Sequence, residues 1–243
     1  MQILTVKGLV LKQTNYAESD RILKIFTQDA GILTVMAKGA RKFKSHQGAA
    51  CNLFCFGEYN LRPSKNMHIL CGSRLLNNFY GISESIEKLS LASYLCDITL
   101  FFLTDSAPEP EVLKLLLNTL YIISSKDRNL FLIKAVYELK LLSLIGYNID
   151  TSRCVLCQKE ETHTFSAALG GMLCKDCAKN SYIYPPSVIQ AVRYIFSSDM
   201  NNIFSFKLSD DSLKELNRLS EQFILKISEH SFQSLSYFLS LFD

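Results

Sequence analysis

The sequence predicts an α+β chain of several domains: an N-terminal five-stranded OB-type β-barrel, then an all-α helical domain carrying a four-cysteine zinc-ribbon insertion. Three observations lead there. The apolar pattern changes near residue 80 from short β-branched runs broken by turn residues to helical stripes. The charge divides at the same place. Two Cys-x-x-Cys pairs interrupt the helical part at a metal-site spacing. With 243 residues, 48% hydrophobic and 20% charged, the chain can bury a sizeable core and does not have a disordered composition. The boundaries read as 1–80 for the barrel, 81–150 for the first helical part, 151–182 for the cysteine element and 183–243 for the last helical part.

Ile3–Thr14 reads as a long first strand, with Gly8 marking a bulge or bend. The polar turn Asn15–Ser19 leads to a second strand, Asp20–Thr27. Asp29-Ala30-Gly31 makes a tight turn into a third, Ile32–Lys38. Cys51–Leu61 and Met67–Leu76 complete the set, joined through Arg62-Pro63-Ser64-Lys65. Five strands with a longer connection after the third suit a small closed Greek-key barrel of OB type. Strand count alone leaves an SH3-like barrel open.

Within Ser83–Leu103, two adjacent apolar stripes, one through Leu89, Ala92, Cys96 and Leu100, the other through Leu91, Leu95, Ile98 and Phe102, make a helix buried over most of its circumference. Pro108-Glu109-Pro110-Glu111 opens a second helix with proline and acid in its first turn. A third runs from about Arg128 to Ile145, with Gly146 placed for a left-handed cap. Pro185-Pro186-Ser187 starts a helix through Phe196. The last spans roughly Asp210–Glu229, with Ser212 and Glu215 as a capping box.

The start, MQILTVKGLVLKQ, lacks the charged and then continuously apolar regions of a signal peptide. The longest apolar stretches, Leu89–Leu103 and Leu130–Ile145, are interrupted by Asp97 and by Lys134, Glu138 and Lys140. They read as core helices, not membrane spans. The expectation is a soluble, cytoplasmic chain with reduced thiols.

Cys154 and Cys157 are separated by 16 residues from Cys174 and Cys177, the C-x₂-C-x₁₅₋₂₀-C-x₂-C pattern of one structural Zn2+. A tight turn with two residues between thiolates presents both sulfurs to a single ion. Thr162–Leu169 followed by Gly170-Gly171 reads as a hairpin that returns the second pair to the first. Four thiolates fill the tetrahedral shell and leave no place for water or substrate, which argues against a zinc hydrolase or nuclease. Arg153, Lys159, Lys175 and Lys179 stand close in sequence to offset the thiolate charge, and His163 is a spare ligand that nothing requires. Cys51, Cys55, Cys71 and Cys96 read as small core residues. The four His residues are scattered, so no nucleophile–His site is supported. Glu18 and Asp20 read as turn hydrogen-bonders or partners of Arg21.

The formal charge of +3 conceals an asymmetry. Residues 1–80 hold eleven basic and four acidic side chains, a net +7, which leaves −4 for the rest. That split points to a nucleic-acid-binding module joined to a more neutral body. Its densest run, Lys38-Gly39-Ala40-Arg41-Lys42-Phe43-Lys44, directly follows the third strand. Lys38, Arg41, Lys42 and Lys44 are the leading candidates for phosphate contacts, with Lys7, Lys12 and Arg21 behind them. Phe43 either stacks on a base or anchors the loop. OB barrels and zinc ribbons also serve RNA, so an RNA-binding ribosome or tRNA factor is the second reading.

Gly8-Leu9-Val10-Leu11-Lys12, Tyr16 to Ile22, Phe26-Thr27, Gly31 and Ala37 to Lys42, then Tyr137 to Leu142 with Gly146-Tyr147, occur in an order that resembles the RecO family of bacterial recombination mediators. Gly170-Gly171 with Cys174 and Cys177 resembles the zinc-bearing branch. The likeness runs from about residue 3 to 180. It implies an OB domain, a helical body with a zinc element, and a non-enzymatic role in RecF-pathway repair. It further implies binding of single- and double-stranded DNA, annealing of complementary strands, and partnership with RecR and with the C-terminal tail of single-strand-binding protein (SSB) in loading RecA. For that acidic tail, Lys126, Arg128, Lys134 and Lys140 are available as a basic rim, but the sequence does not place a pocket.

Overall fold

The computed structural model describes residues 3–43, 45, 47–103, 107–147 and 149–242. Strands β1 (Leu4–Tyr16), β2 (Asp20–Thr27), β3 (Gly31–Ala37), β4 (Phe56–Pro63) and β5 (His68–Asn77) close into a barrel in the order β1-β2-β3-β5-β4. All neighbours are antiparallel except β3 and β5, which pair in parallel at Val35–His68 and Met36–Ile69. This is the OB arrangement, and it removes the SH3-like alternative. Val6, Val10, Leu23, Ile25, Val35, Tyr59 and Leu61 fill the interior. Leu9, Phe26 and Met36 point the other way yet are also buried, because helices α1 (Ile86–Leu103) and α2 (Pro110–Ser125) pack on β1, β2 and β3.

Apart from β2, strand ends differ from the sequence reading by one or two residues, β1 running on through Asn15 and Tyr16 and β4 through Arg62 and Pro63, and two details differ further. The bulge falls between Val10 and Lys12 rather than at Gly8. Gly8 serves close approach instead: a Cβ there would sit 2.8 Å from the Phe26 carbonyl oxygen. The fourth strand begins at Phe56, not Cys51. In the run that precedes it, Ala50 and Cys51 pack into the barrel core from a 3₁₀ turn (Ala49–Cys51), Asn52 is exposed, and Phe54 is left-handed at φ +64°. Phe54 N–H and Cys55 C=O pair with Val10 at 3.0 Å, so this run meets the bulge. Burial without alternation marked these residues as apolar but not as strand.

The chain forms two compact units, Met1–Asp127 with Ser234–Asp243, and Arg128–Gln233. Helix α3 (Leu130–Leu144) is the centre of the second unit. Asn129 caps it by accepting from the Phe131 and Leu132 amides, and Gly146, at φ +102°, terminates it as expected. Every residue from Leu132 to Leu142 is buried, including three charges. Lys134 Nζ lies 3.1 Å from Glu138 Oε2 and 2.9 Å from Glu221 Oε1. The Ser220 hydroxyl donates to Glu138 Oε2 at 2.5 Å. Lys140 Nζ donates to the Ile195 and Ser198 carbonyls, at the C-terminal end of α4 (Pro186–Ser197). Lys134 and Lys140 are therefore internal fasteners, and neither is available for a basic pocket rim.

Replacing Lys134 by Met leaves two carboxylates without their cation, one of them fully buried. The expected loss is about 3–5 kcal/mol in urea unfolding of the second unit. A loss below about 1 kcal/mol would mean that water reaches the pair.

Helix α5 (Asp210–Ser228) is capped by Ser209, whose hydroxyl accepts from the Ser212 amide, so the expected Ser212–Glu215 box is not formed. After Glu229 in a left-handed turn, a further helix, α6 (Gln233–Ser240), follows that the sequence pattern did not distinguish. Among the described residues, no helix is long and apolar enough to cross a membrane.

Candidate metal centre and nucleic-acid interface

Two short strands, β6 (Thr164–Ser166) and β7 (Gly171–Leu173), form the hairpin expected between the cysteine pairs. It is fixed to the second unit by the Phe165 ring, edge-on to Phe223 of α5 at 5.4 Å. The Thr164 hydroxyl donates to Tyr182 C=O and accepts from Tyr184 N–H. Backbone bonds from Val155 to Met172 and from Cys154 to Lys159 fold the first cysteine turn against β7. The Cys154, Cys157, Cys174 and Cys177 sulfurs consequently all lie within 4.8 Å of one another, with Cys157 and Cys174 at 3.5 Å. A tetrahedral ion at ~2.3 Å from each sulfur needs them about 3.8 Å apart, so the donor set fits a metal. His163 is not part of this cluster.

The thiols are unequal. Burial pushes Cys154 up, but the backbone amides of Cys174, Cys157 and Leu156 outweigh it and bring the thiol down to about 6. The neighbouring sulfurs of Cys174 and Cys157 push Cys177 up to about 12. One thiolate is thus favoured, while others hold protons that a metal must displace. Of the four nearby cations, Lys159 is paired with Asp176 at 2.6 Å and Arg153 with Glu160 at 3.3 Å. Lys175 and Lys179 are exposed. Of the remaining cysteines, burial raises the Cys51, Cys55 and Cys96 thiols. Cys71, expected in the core, is exposed on β5.

At one end of the barrel the β1–β2 turn and the segment after β3 are tied together. Asp20 Oδ1 accepts from the Gly39 amide at 2.8 Å, and the Arg41 amide donates to Ser19 C=O at 2.9 Å. Gly39 sits at φ +65°, a conformation glycine adopts freely. This clasp gives Asp20 a structural role that its sequence position only hinted at. Lys38, Arg41, Lys42 and Phe43 project from it exposed, Phe43 completely (103%). Part of the Arg41 guanidinium turns back to the Ala17 and Glu18 carbonyls, at 3.4 and 3.3 Å. Arg21 pairs in register with Ala37 and donates to Asn52 Oδ1 at 2.8 Å. Lys44 lies outside the described residues.

Lys12 stands further along β1, directly opposite Lys24 on β2, whose Nζ donates to Thr34 Oγ1 at 2.8 Å. Like charges facing each other across strands repel, and Lys24 joins the basic surface without having stood out in the sequence. Lys7 is not part of the cluster. It pairs in register with Glu58 and lies nine residues along β1 from Tyr16, roughly 30 Å by strand rise.

A family model described as Recombination protein O N terminal matches residues 1–79, and one described as Recombination protein O C terminal matches residues 83–236. The chain belongs to the RecO family. Relatives named DNA repair protein RecO agree along nearly the full length. That of Acetivibrio thermocellus is 33% identical over 246 residues, spanning 99% of this chain and 98% of the relative. That of Dehalococcoides mccartyi is 30% identical over 228 residues, 90% of each. That of Clostridium novyi is 26% identical over 241 residues, 98% and 94%. RecO membership assigns the chain to DNA repair and recombination.

Proposed function

We propose that this RecO-family chain is a DNA-binding recombination mediator of the RecF pathway rather than an enzyme. It binds single- and double-stranded DNA, anneals complementary strands, and with RecR helps load RecA onto SSB-coated DNA. It works in the bacterial cytoplasm, at the nucleoid. One Zn2+ held by Cys154, Cys157, Cys174 and Cys177 braces the hairpin; when bound it supplies structural cross-linking and no chemistry at a substrate. Lys38, Arg41, Lys42 and Lys44 contact phosphates, with Lys12 and Arg21 in support and Phe43 available for a base, whereas Lys7, paired in register with Glu58 towards the other end of β1, stands apart from this contact.

The observation that carries this reading is the clasped, exposed basic end of an OB barrel in a chain of this family. Two polyanions must be brought together with their repulsion screened and their base edges left free. Cations on a turn tied by backbone bonds, with only Phe43 and Tyr16 as exposed aromatics beside them, suit that requirement. Family membership favours this over the RNA-factor reading. Competition between matched DNA and RNA single strands tests the choice: DNA is expected to displace a labelled DNA oligonucleotide at least as well as RNA. A several-fold preference for RNA, without annealing of DNA, would reverse it.

A further inference from the structure

On the metal-bearing unit, the Arg218 guanidinium of α5 lies 4.1 Å above the Tyr182 ring. Both side chains reach solvent, Tyr182 with 46% of its surface exposed. The stack is held in place from below. Thr164 bonds the Tyr182 carbonyl, Tyr184 packs edge-on at 4.9 Å, and the Tyr184 hydroxyl donates to Gln222 Oε1. Glu215, the acid on α5 that faces this group, raises the pKa of the Tyr182 hydroxyl.

Exposed cations stand near the stack's residues along the chain. Lys179 lies three residues before Tyr182, and Lys214 lies one turn before Arg218 on α5. Arg193 of α4 donates to Thr162 Oγ1 at 2.6 Å, two residues from Thr164. Among the described residues, none of Lys179, Arg193, Lys214 and Arg218 is in an ion pair, whereas Arg153 and Lys159 in the same unit are. A preorganised aromatic–guanidinium plane beside unpaired cations is the combination that holds an unpaired base and its phosphates.

We propose that Tyr182 and Arg218 form a second nucleic-acid contact, a one-base stacking platform for single-stranded DNA, with Lys179, Arg193 and Lys214 beside the backbone. The assignment rests on the DNA-binding reading above and extends it from the barrel to the metal-bearing unit. A protein that anneals must hold two strands. A single stacking position grips weakly enough to release the base when a partner strand pairs with it.

The chain contains no tryptophan, so Tyr182→Trp places a unique fluorophore in the platform. The experiment titrates the full-length, metal-loaded variant with oligothymidylate. It reads Trp emission and, in parallel, the anisotropy of a labelled oligothymidylate. Emission is expected to be quenched along the same isotherm. Tyr182→Ala with Arg218→Ala is expected to weaken binding about 5- to 10-fold, the scale of one stacked base, whereas Tyr182→Phe keeps wild-type affinity.

Unchanged emission at saturation, with wild-type affinity in the double alanine variant, overturns the platform and leaves the barrel site standing. No oligonucleotide binding by the wild-type protein overturns the DNA-binding reading itself. Melting temperature and metal content matching wild type show that each variant is folded. If Tyr182→Trp fails that check, the comparison of Tyr182→Phe with Arg218→Ala decides the matter.

Discussion

Stripping the metal from the Cys154–Cys157–Cys174–Cys177 centre is expected to unfold residues 151–182 while the barrel stays folded. The packing around the sulfurs is slight: Cys154, Leu173, Cys174 and Ala178 form a core of their own, with Cys177 against it. Two three-residue strands cannot hold such an element. Binding a structural zinc is worth about 10–16 kcal/mol in isolated finger peptides, so such an ion is expected to carry most of the local stability. Elemental analysis is expected to give one zinc per chain. Chelation, or Cys174→Ala, is expected to abolish amide protection from Cys154 to Ala178 in hydrogen exchange and leave β1–β5 unaffected. Metal-free protein with unchanged protection there would make the ion dispensable.

The same site gives a pH dependence of definite sign. Cys177 is raised to about 12 in the metal-free cluster and Cys157 is also raised, so metal capture at neutral pH expels their protons. Affinity must then fall as pH falls, and calorimetry in two buffers of different ionisation enthalpy reads the protons released.

Reversing Lys38, Arg41 and Lys42 to Glu is expected to produce the largest functional loss. All three are exposed at the clasped barrel end, where each lost phosphate contact lowers the single-strand salt slope by about 0.7. Three contacts change the slope by about 2, with affinity falling roughly tenfold or more at low salt and the difference shrinking as salt rises. The barrel is expected to stay folded, because the Asp20–Gly39 and Ser19–Arg41 bonds use backbone amides of the second segment. An unchanged slope in an anisotropy titration would move the DNA elsewhere. Lys7→Glu, at the far end of β1, is the internal contrast and is expected to have a much smaller effect.

How much was legible in the sequence depended on how local each signal was. Asp20–Thr27 was bounded correctly because its alternation, its turn residues and its pairing all lie within a few residues of one another. The cysteine spacing is likewise a local statement, and it anticipated the sulfur cluster. Cys51–Cys55 misled because an apolar run records burial without recording conformation. Lys134 read as an interruption of an apolar helix because one of its partners, Glu221, is on a helix far along the chain. The Tyr182–Arg218 stack left no signal for the same reason: two exposed residues of ordinary type are joined only by the fold. Lys24 could have been found, since strict alternation on β2 already puts it on the outer face opposite β1.

If the basic barrel end brings complementary strands together, the quantity that reads this most directly is an annealing rate. Two complementary oligonucleotides, each coated with SSB, are mixed, and their pairing is followed when the protein is added. The wild-type chain is expected to accelerate pairing, the Lys38/Arg41/Lys42 reversal to lose most of that acceleration, and Lys7→Glu to retain it. Equal acceleration by wild type and by the folded triple variant, or none by the metal-loaded wild-type chain, would contradict that role.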